Sequence, residues 1–398
     1  MSTDVLFSTL ECVNGKSIGL AVLNSPSSLN ALSHSMNKAL TRQLRLWAKD
    51  SRIAIVILRG AEEKVFCAGG DIKYLYQNLI KTVPPSPEVP AQYFSTEYSL
   101  DLRIYHYPKP IIVWGNGIVM GGGMGLMQGA RRRLVTETSR LAMPEAMIGL
   151  VPDVGGSWFL NRLPGRLGLF LAMTGASLNA HDALRIGLAD RALPSTSFGA
   201  LVEHLCQQVW GSQKDDIAIL DRALTSFSEQ HPAVLPESNI PSHILRLQTL
   251  MQCGGLEDVV DAILALDKEG EAPWLRQAAQ NLKNSSPTAL AVCWEIHHRL
   301  RLASLSEVFQ SELNLAINFC LQHDFVEGVR AKLIDKDNKP QWKPATLADV
   351  KRKNVDKYFD DPLSSEEHPL TYANVNEEMT EGLKLFQEMV SGSSLTMT

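Results

Sequence analysis

A run of three glycines, Gly121-Gly122-Gly123, follows an apolar segment, and two acids set among prolines and glycines come after it, in Met143-Pro144-Glu145 and Pro152-Asp153-Val154-Gly155-Gly156. Consecutive glycines remove the side chains that keep a backbone away from a ligand, and they open conformations closed to other residues. The apolar stretch Pro110 to Trp114 predicts a buried strand, Gly115 to Gly123 a turn, and Met124 to Ala130 a short helix whose first N–H groups face that turn without intrahelical acceptors. Such a turn favours negative charge. An earlier loop, Phe66-Cys67-Ala68-Gly69-Gly70-Asp71-Ile72, has the same form, because it follows the apolar run Ile53 to Leu58 and precedes a predicted helix. Two such loops meeting in space would aim two backbone donors at one oxygen.

The segments around these loops repeat a strand-then-helix pattern. Ser17 to Leu23 predicts a strand, and Ser33 caps a helix through Trp47 with Met36, Leu40, Leu44 and Trp47 on one stripe. Residues 82–90, TVPPSPEVP, predict an irregular loop ahead of a helix from Ala91 to Tyr107. Strands are expected at Leu134 to Thr138 and Arg140 to Met143. Repeated strand–helix units imply an α/β layered domain over residues 1–194. Beyond Pro194 the pattern turns to helical stripes: Phe198 to Trp210, Ile217 to Phe227, Leu256 to Leu266, Trp274 to Leu282, Ala289 to Arg301 and Ser306 to Gln322. A helical region over 195–363 follows, then an extension over 364–398 with a docked helix at Glu377 to Val390 and a frayed tail.

The 398 residues carry a formal charge of -5, and the one basic cluster, Arg131-Arg132-Arg133, reads as a solvated helix end, so nucleic acid is not an expected partner. The six cysteines are widely spaced without a Cys-x-x-Cys pair, which argues against a disulfide framework and fits a reducing compartment. Neither they nor the histidines have metal-ligand spacing, so no metal is expected. No run approaches the ~20 apolar residues of a membrane helix, and the first residues lack a basic start, so a cytoplasmic protein away from membranes is expected.

The Phe66–Ile72 loop, the Gly117-Ile118-Val119-Met120-Gly121-Gly122-Gly123 turn and Met143-Pro144-Glu145 resemble the enoyl-CoA hydratase/isomerase (crotonase) superfamily. Within it, Pro152 to Gly156, His323-Asp324-Phe325-Val326-Glu327-Gly328-Val329-Arg330-Ala331 and Trp342-Lys343-Pro344 are similar to the 3-hydroxyisobutyryl-CoA hydrolase branch. The resemblance runs from about Thr9 to Phe359. It implies an α/β fold, a crotonase-like spiral of repeated ββα units, with a helical C-terminal region that closes the acyl pocket. It also implies hydrolysis of a branched short-chain 3-hydroxyacyl-CoA thioester in valine breakdown. The substrate carries its own coenzyme A, so no separate cofactor is implied, and a homo-oligomer is left open. Position by position, the oxyanion amides fall on Gly70 and Gly122, the acids of the branch on Glu145 and Asp153, a further acyl-pocket acid on Glu97, and a coenzyme A contact on Lys73.

These residues suit acyl transfer. Donors fixed where a thioester oxygen becomes negative stabilise the transition state more than the ground state. Nucleophilic elbows and Ser-His-Asp order are absent from the sequence, so the attack must be driven by the carboxylates. Glu145 is expected to act as base for water or as nucleophile, and Asp153 to hold the 3-hydroxyl or handle the proton. Hydratases of the superfamily carry a glutamate three positions past the second oxyanion glycine, where this chain has Gly125. That departure stands against the nearest rival, hydration or isomerisation of an enoyl-CoA. A dinucleotide oxidoreductase is disfavoured because Met120 replaces the third glycine of a phosphate loop. A non-catalytic acyl-CoA binder is disfavoured because both acids are present. Ser157 and Ala146-Met147 beside the acids leave the identity of the acyl group less constrained than the thioester chemistry.

Overall fold

A computed structural model describes residues 4–81, 84–363 and 368–370. The helix expected at Glu377 to Val390 and the tail after it lie outside the described residues. The chain opens with an antiparallel pair, β1 (Val5–Glu11) and β2 (Ser17–Leu23), and then α1 (His34–Lys49). Ser33 caps α1 as expected, its hydroxyl accepting from the Met36 N–H at 3.2 Å.

From there the chain winds. β3 (Ile53–Gly60) and β4 (Val65–Cys67) lead to α2 (Ile72–Leu79) and α3 (Glu88–Tyr105). β5 (Ile111–Gly115) and β6 (Ile118–Met120) lead to α4 (Gly122–Gly129). β7 (Arg132–Val135) and β8 (Arg140–Ala142) lead to a 3₁₀ turn at Glu145–Ile148. Each turn of the spiral gives one strand to each of two sheets. With β9 (Leu178–Asn179) and β10 (Arg191–Ala192), the sheet orders are β1-β2-β3-β5-β7-β10 and β4-β6-β8-β9. The pairs β3–β5, β5–β7, β4–β6 and β6–β8 are all parallel. This is the ββα spiral that the resemblance implies.

The larger sheet is covered on both faces, which explains the unbroken apolar run of β3. Val56 and Leu58 point into the main core with α1 and α4, whereas Ile55 and Ile57 point into a second core against the helices Phe198–Cys206 and Gln213–Gln230. The sequence expectation of a turn across Gly115 to Gly123 is corrected: β6 lies inside it, and α4 begins at Gly122, ahead of Met124. A three-residue strand carries too little pattern to stand out from the turn around it. The reading of Arg131-Arg132-Arg133 as a solvated helix end is also corrected. Arg132 and Arg133 are in β7, half-buried, and they pair with Asp221 and, at 2.8 Å, with Asp190.

Further along, α5 (Gly156–Leu160) and α6 (Leu167–Thr174) precede β9. The helical stripes past β10 form as expected within a few residues of their ends, with Ile240–Leu250 and His323–Val329 as unforeseen additions. Among the described residues no helix is long and apolar enough to cross a membrane.

Candidate active site

Because β4, β6 and β8 are adjacent and parallel, the loops leaving their C-terminal ends gather at one edge of the smaller sheet, the usual place for a ligand in a parallel sheet. Gly70 follows the end of β4, Gly122 the end of β6 and Glu145 the end of β8. Together with Glu97 from α3 and Asp153 from the loop before α5, they line one cavity of about 300 Å³. The two glycine turns touch there, since a Cβ on Gly121 would lie 3.4 Å from Gly69 Cα. Among the described residues, neither the Gly70 nor the Gly122 amide donates to a protein acceptor. Both stay glycine for want of space: a Cβ would stand 2.5 Å from Tyr93 Oη at Gly70 and 2.3 Å from Glu97 Oε1 at Gly122.

Five of the six residues expected at the site are thus brought together. Lys73 is the exception. It sits exposed on α2 and is not among the residues lining the cavity. Glu97 is 2% exposed, although its helix reads as polar in sequence, and Glu145 and Asp153 are each 6% exposed. Glu145 Oε2 and Glu97 Oε1 have no protein partner, so each has hydrogen-bonding capacity for a ligand.

Burial sets the electrostatics. It lifts the Glu145 carboxyl well above the ordinary carboxylate range, and the neighbouring Asp153 adds to the lift. Burial also lifts Asp153, to about 6, against the pull of the Tyr98 hydroxyl. That hydroxyl donates to Asp153 Oδ2 at 2.6 Å. Tyr98 is the one side-chain donor to the pair among the described residues, and its hydrogen bond favours the charged form of Asp153. Burial, then the charge of Asp153, keeps Glu97 protonated well past its usual range.

Four participants escape the sequence reading. Tyr98 follows Glu97 with no motif to mark it. Lys332 and Leu333, from the π-helical turn Arg330–Ile334, close the cavity from the C-terminal region. Glu312 is fully buried, and its carboxylate accepts the Gly155 and Ser157 N–H groups, each at 2.7 Å. A signal for Glu312 exists in the sequence: it is an acid on an otherwise apolar helical stripe with Val308, Phe309, Leu313 and Ala316.

The two C-terminal motifs have a physical role as well. Helix His323–Val329 packs backbone to backbone on the turn that carries Glu145, for a Cβ on Gly149 would meet Asp324 O at 2.3 Å and one on Gly328 would meet Ile148 C at 2.4 Å. Asp324 accepts from Ser286 Oγ at 2.6 Å and from the Lys343 N–H at 2.8 Å, which ties in the Trp342-Lys343-Pro344 segment. At Gly125, where hydratases carry an acid, a Cβ would lie 2.7 Å from Val154 Cβ and 2.9 Å from both Asp101 carboxylate oxygens. The place is filled from α3 instead. A larger cleft of about 570 Å³ lies between α1 and α3, lined by Lys38, Arg42, Arg45 and Lys49, and holds none of these acids or glycines. Among the described residues no group of three His, Cys, Asp or Glu side chains is placed to hold a metal ion.

The chain is similar to proteins of known name. The 3-hydroxyisobutyryl-CoA hydrolase, mitochondrial, of Danio rerio is 41% identical over 349 residues, 86% of either chain. Crystal structures of an enoyl-CoA hydratase from Rhodobacter sphaeroides and of a carnitinyl-CoA dehydratase from Mycobacterium thermoresistibile each superpose with a TM-score of 0.76. The first is 32% identical and covers 90% of this chain and 98% of its own; the second is 34% identical and covers 91% and 98%. The family described as enoyl-CoA hydratase/isomerase matches residues 18–359. With the ββα spiral, the paired glycine turns and these likenesses in hand, the chain belongs to the enoyl-CoA hydratase/isomerase (crotonase) superfamily and, within it, to the 3-hydroxyisobutyryl-CoA hydrolase branch.

Proposed function

We propose that this protein hydrolyses a short branched 3-hydroxyacyl-CoA thioester, 3-hydroxyisobutyryl-CoA above others, to 3-hydroxyisobutyrate and coenzyme A, as a step of valine degradation. One observation carries the choice among the activities of the superfamily: Glu145 and Asp153 share a cavity with the glycine turns, while Gly125 has neither an acid nor room for one. Hydration of a double bond, the activity in the name of the Rhodobacter sphaeroides neighbour, would lack the acid that hydratases carry at this position, since the place is taken by Asp101, which does not line the cavity. The name of the Danio rerio relative supports the hydrolase reading.

In this reading the Gly70 and Gly122 amides hold the thioester oxygen as it becomes an oxyanion. Glu145 either takes a proton from the attacking water or adds to the carbonyl carbon itself, expelling the coenzyme A thiolate and leaving a mixed anhydride that water then cleaves. Asp153, held by Tyr98, accepts the 3-hydroxyl, and Glu97 bounds the acyl group. Residues 1–194 supply the thioester-binding core and 195–363 the cover of the acyl pocket, with Lys332 and Leu333 as its nearest part. The compartment is proposed as cytoplasmic, against the word mitochondrial in the name of the Danio rerio relative; a tagged chain accumulating in mitochondria would overturn it.

Thiol release on a panel of acyl-CoA esters, with and without a 3-hydroxyl, tests the assignment. Selective release from the hydroxylated branched ester is expected. Glu145→Gln should lose on the order of a hundredfold to ten-thousandfold in rate while keeping its fold. Equal turnover of plain acetyl-CoA, or full activity in both Glu145→Gln and Asp153→Asn, would remove the assignment. Oxygen-18 water separates the two routes, because label entering the enzyme glutamate over successive turnovers supports the anhydride.

A further inference from the structure

Asp153 stands at the start of an unusual turn. Val154 and Gly155 both adopt left-handed backbone, with φ of 52° and 84°. For a β-branched residue such as Val154 that conformation is strained and persists only where neighbours over-determine it. Two elements far along the chain do so. Phe309 packs on Gly155, where a Cβ would lie 3.1 Å from its ring, and it meets Tyr98 edge-on at 5.8 Å. One helical turn further, Glu312 accepts the N–H groups of Gly155 and Ser157 with its two carboxylate oxygens. Burial pushes the Glu312 carboxyl up to about 8, and the groups that pull it back are the Ser157 amide and side chain and the Gly155 amide, on an otherwise apolar stripe. A buried acid without a cation is costly unless its hydrogen bonds are made, which argues for a specific task here.

We infer that Glu312 is the positioning residue for Asp153: by gripping the two amides just past it, the C-terminal helix Leu305–Cys320 fixes the turn that aims the Asp153 carboxylate at the cavity and at Tyr98. The inference rests on the reading of Asp153 as an acid acting in the reaction. Glu312 touches no reacting atom. Its helix therefore acts on the chemistry through the backbone of another region.

Glu312→Gln is the sharp test, because it keeps shape and volume but sets an NH₂ against one of the two N–H groups. The expected result is a fall in kcat of about tenfold or more with KM within about threefold, since one of the two amides loses its acceptor while the cavity lining is untouched. A double-mutant cycle with Asp153→Asn separates positioning from general support. If Glu312 acts through Asp153, Glu312→Gln costs little more once Asp153 is neutralised; additive losses, or an unchanged kcat, overturn the inference. Should Glu312→Gln fail to fold, Glu312→Asp, which draws the carboxylate back by one methylene, is read in the same cycle by the same criteria. Full activity of Asp153→Asn alone would defeat the reading of Asp153 and the inference with it, whereas an inactive Asp153→Asn beside a fully active Glu312→Gln defeats the inference only.

Discussion

The rim of the smaller sheet and the helices after residue 300 meet the same cavity in different ways. The rim offers backbone: two amides at Gly70 and Gly122, held at the ends of short parallel strands, with Glu145 one strand further along. The helices offer support. Gly328 and Asp324 press on the Glu145 turn, Glu312 grips the amides beyond Asp153, and among the described residues of this region only Lys332 and Leu333 line the cavity itself. Groups that must face a developing charge belong on rigid main chain, while the parts that hold them can come from anywhere that packs well.

The difference can be broken from the rim side first. Gly122→Ala should cost on the order of a hundredfold to a thousandfold in kcat, because the new methyl meets Glu97 Oε1 at 2.3 Å and displaces the amide from the oxygen it holds. A retained melting transition beside lost turnover is the expected pair of measurements; near-normal kcat would take the oxyanion role from that turn. The acids give the next effect. Burial raises both Glu145 and Asp153, and base or nucleophile chemistry needs the deprotonated form of Glu145, so kcat/KM should already fall, about tenfold per pH unit, while the pH is still well above the ordinary carboxylate range. A rate flat down to the ordinary carboxylate range near 4 would mean that neither acid acts as a base. The smallest effect belongs to the cover. Lys332 lines the cavity and donates to Asn338 Oδ1 at 3.1 Å, so Lys332→Ala should raise KM by roughly threefold with kcat kept, in line with the modest energy of half-exposed charges. A large loss of kcat there would place chemistry in the helical region and erase the contrast.

What the sequence made legible follows the same division. Gly70, Gly122, Glu145 and Asp153 stand in local motifs, Glu97 comes from the resemblance alone, and the structure brings all of them to one cavity. Of the strands that explain their meeting, β8 stands out in the sequence, but β4 and β6 are three residues each, too short for a period of two to register, so the turns are legible and most of their cause is not. Arg132 and Arg133 were misread because a charge run carries no sign of its partners, Asp221 and Asp190, which lie far along the chain. Tyr98 and Glu312 act across long separations, and only the misfit of an acid on the apolar stripe of Leu305–Cys320 hinted at one of them.

The crowd of acids in the cavity also bears on how a reaction there would end. A thioester enters uncharged at its acyl end, but the proposed hydrolysis leaves a carboxylate beside Asp153 and Glu145, with Lys332 as the one cation among the described lining residues. Like charges at such range disfavour each other, so the newborn acid is pushed toward the mouth as soon as it ionises. The enzyme would then clear its own product, and the free hydroxy acid should compete only feebly with the ester that gives rise to it.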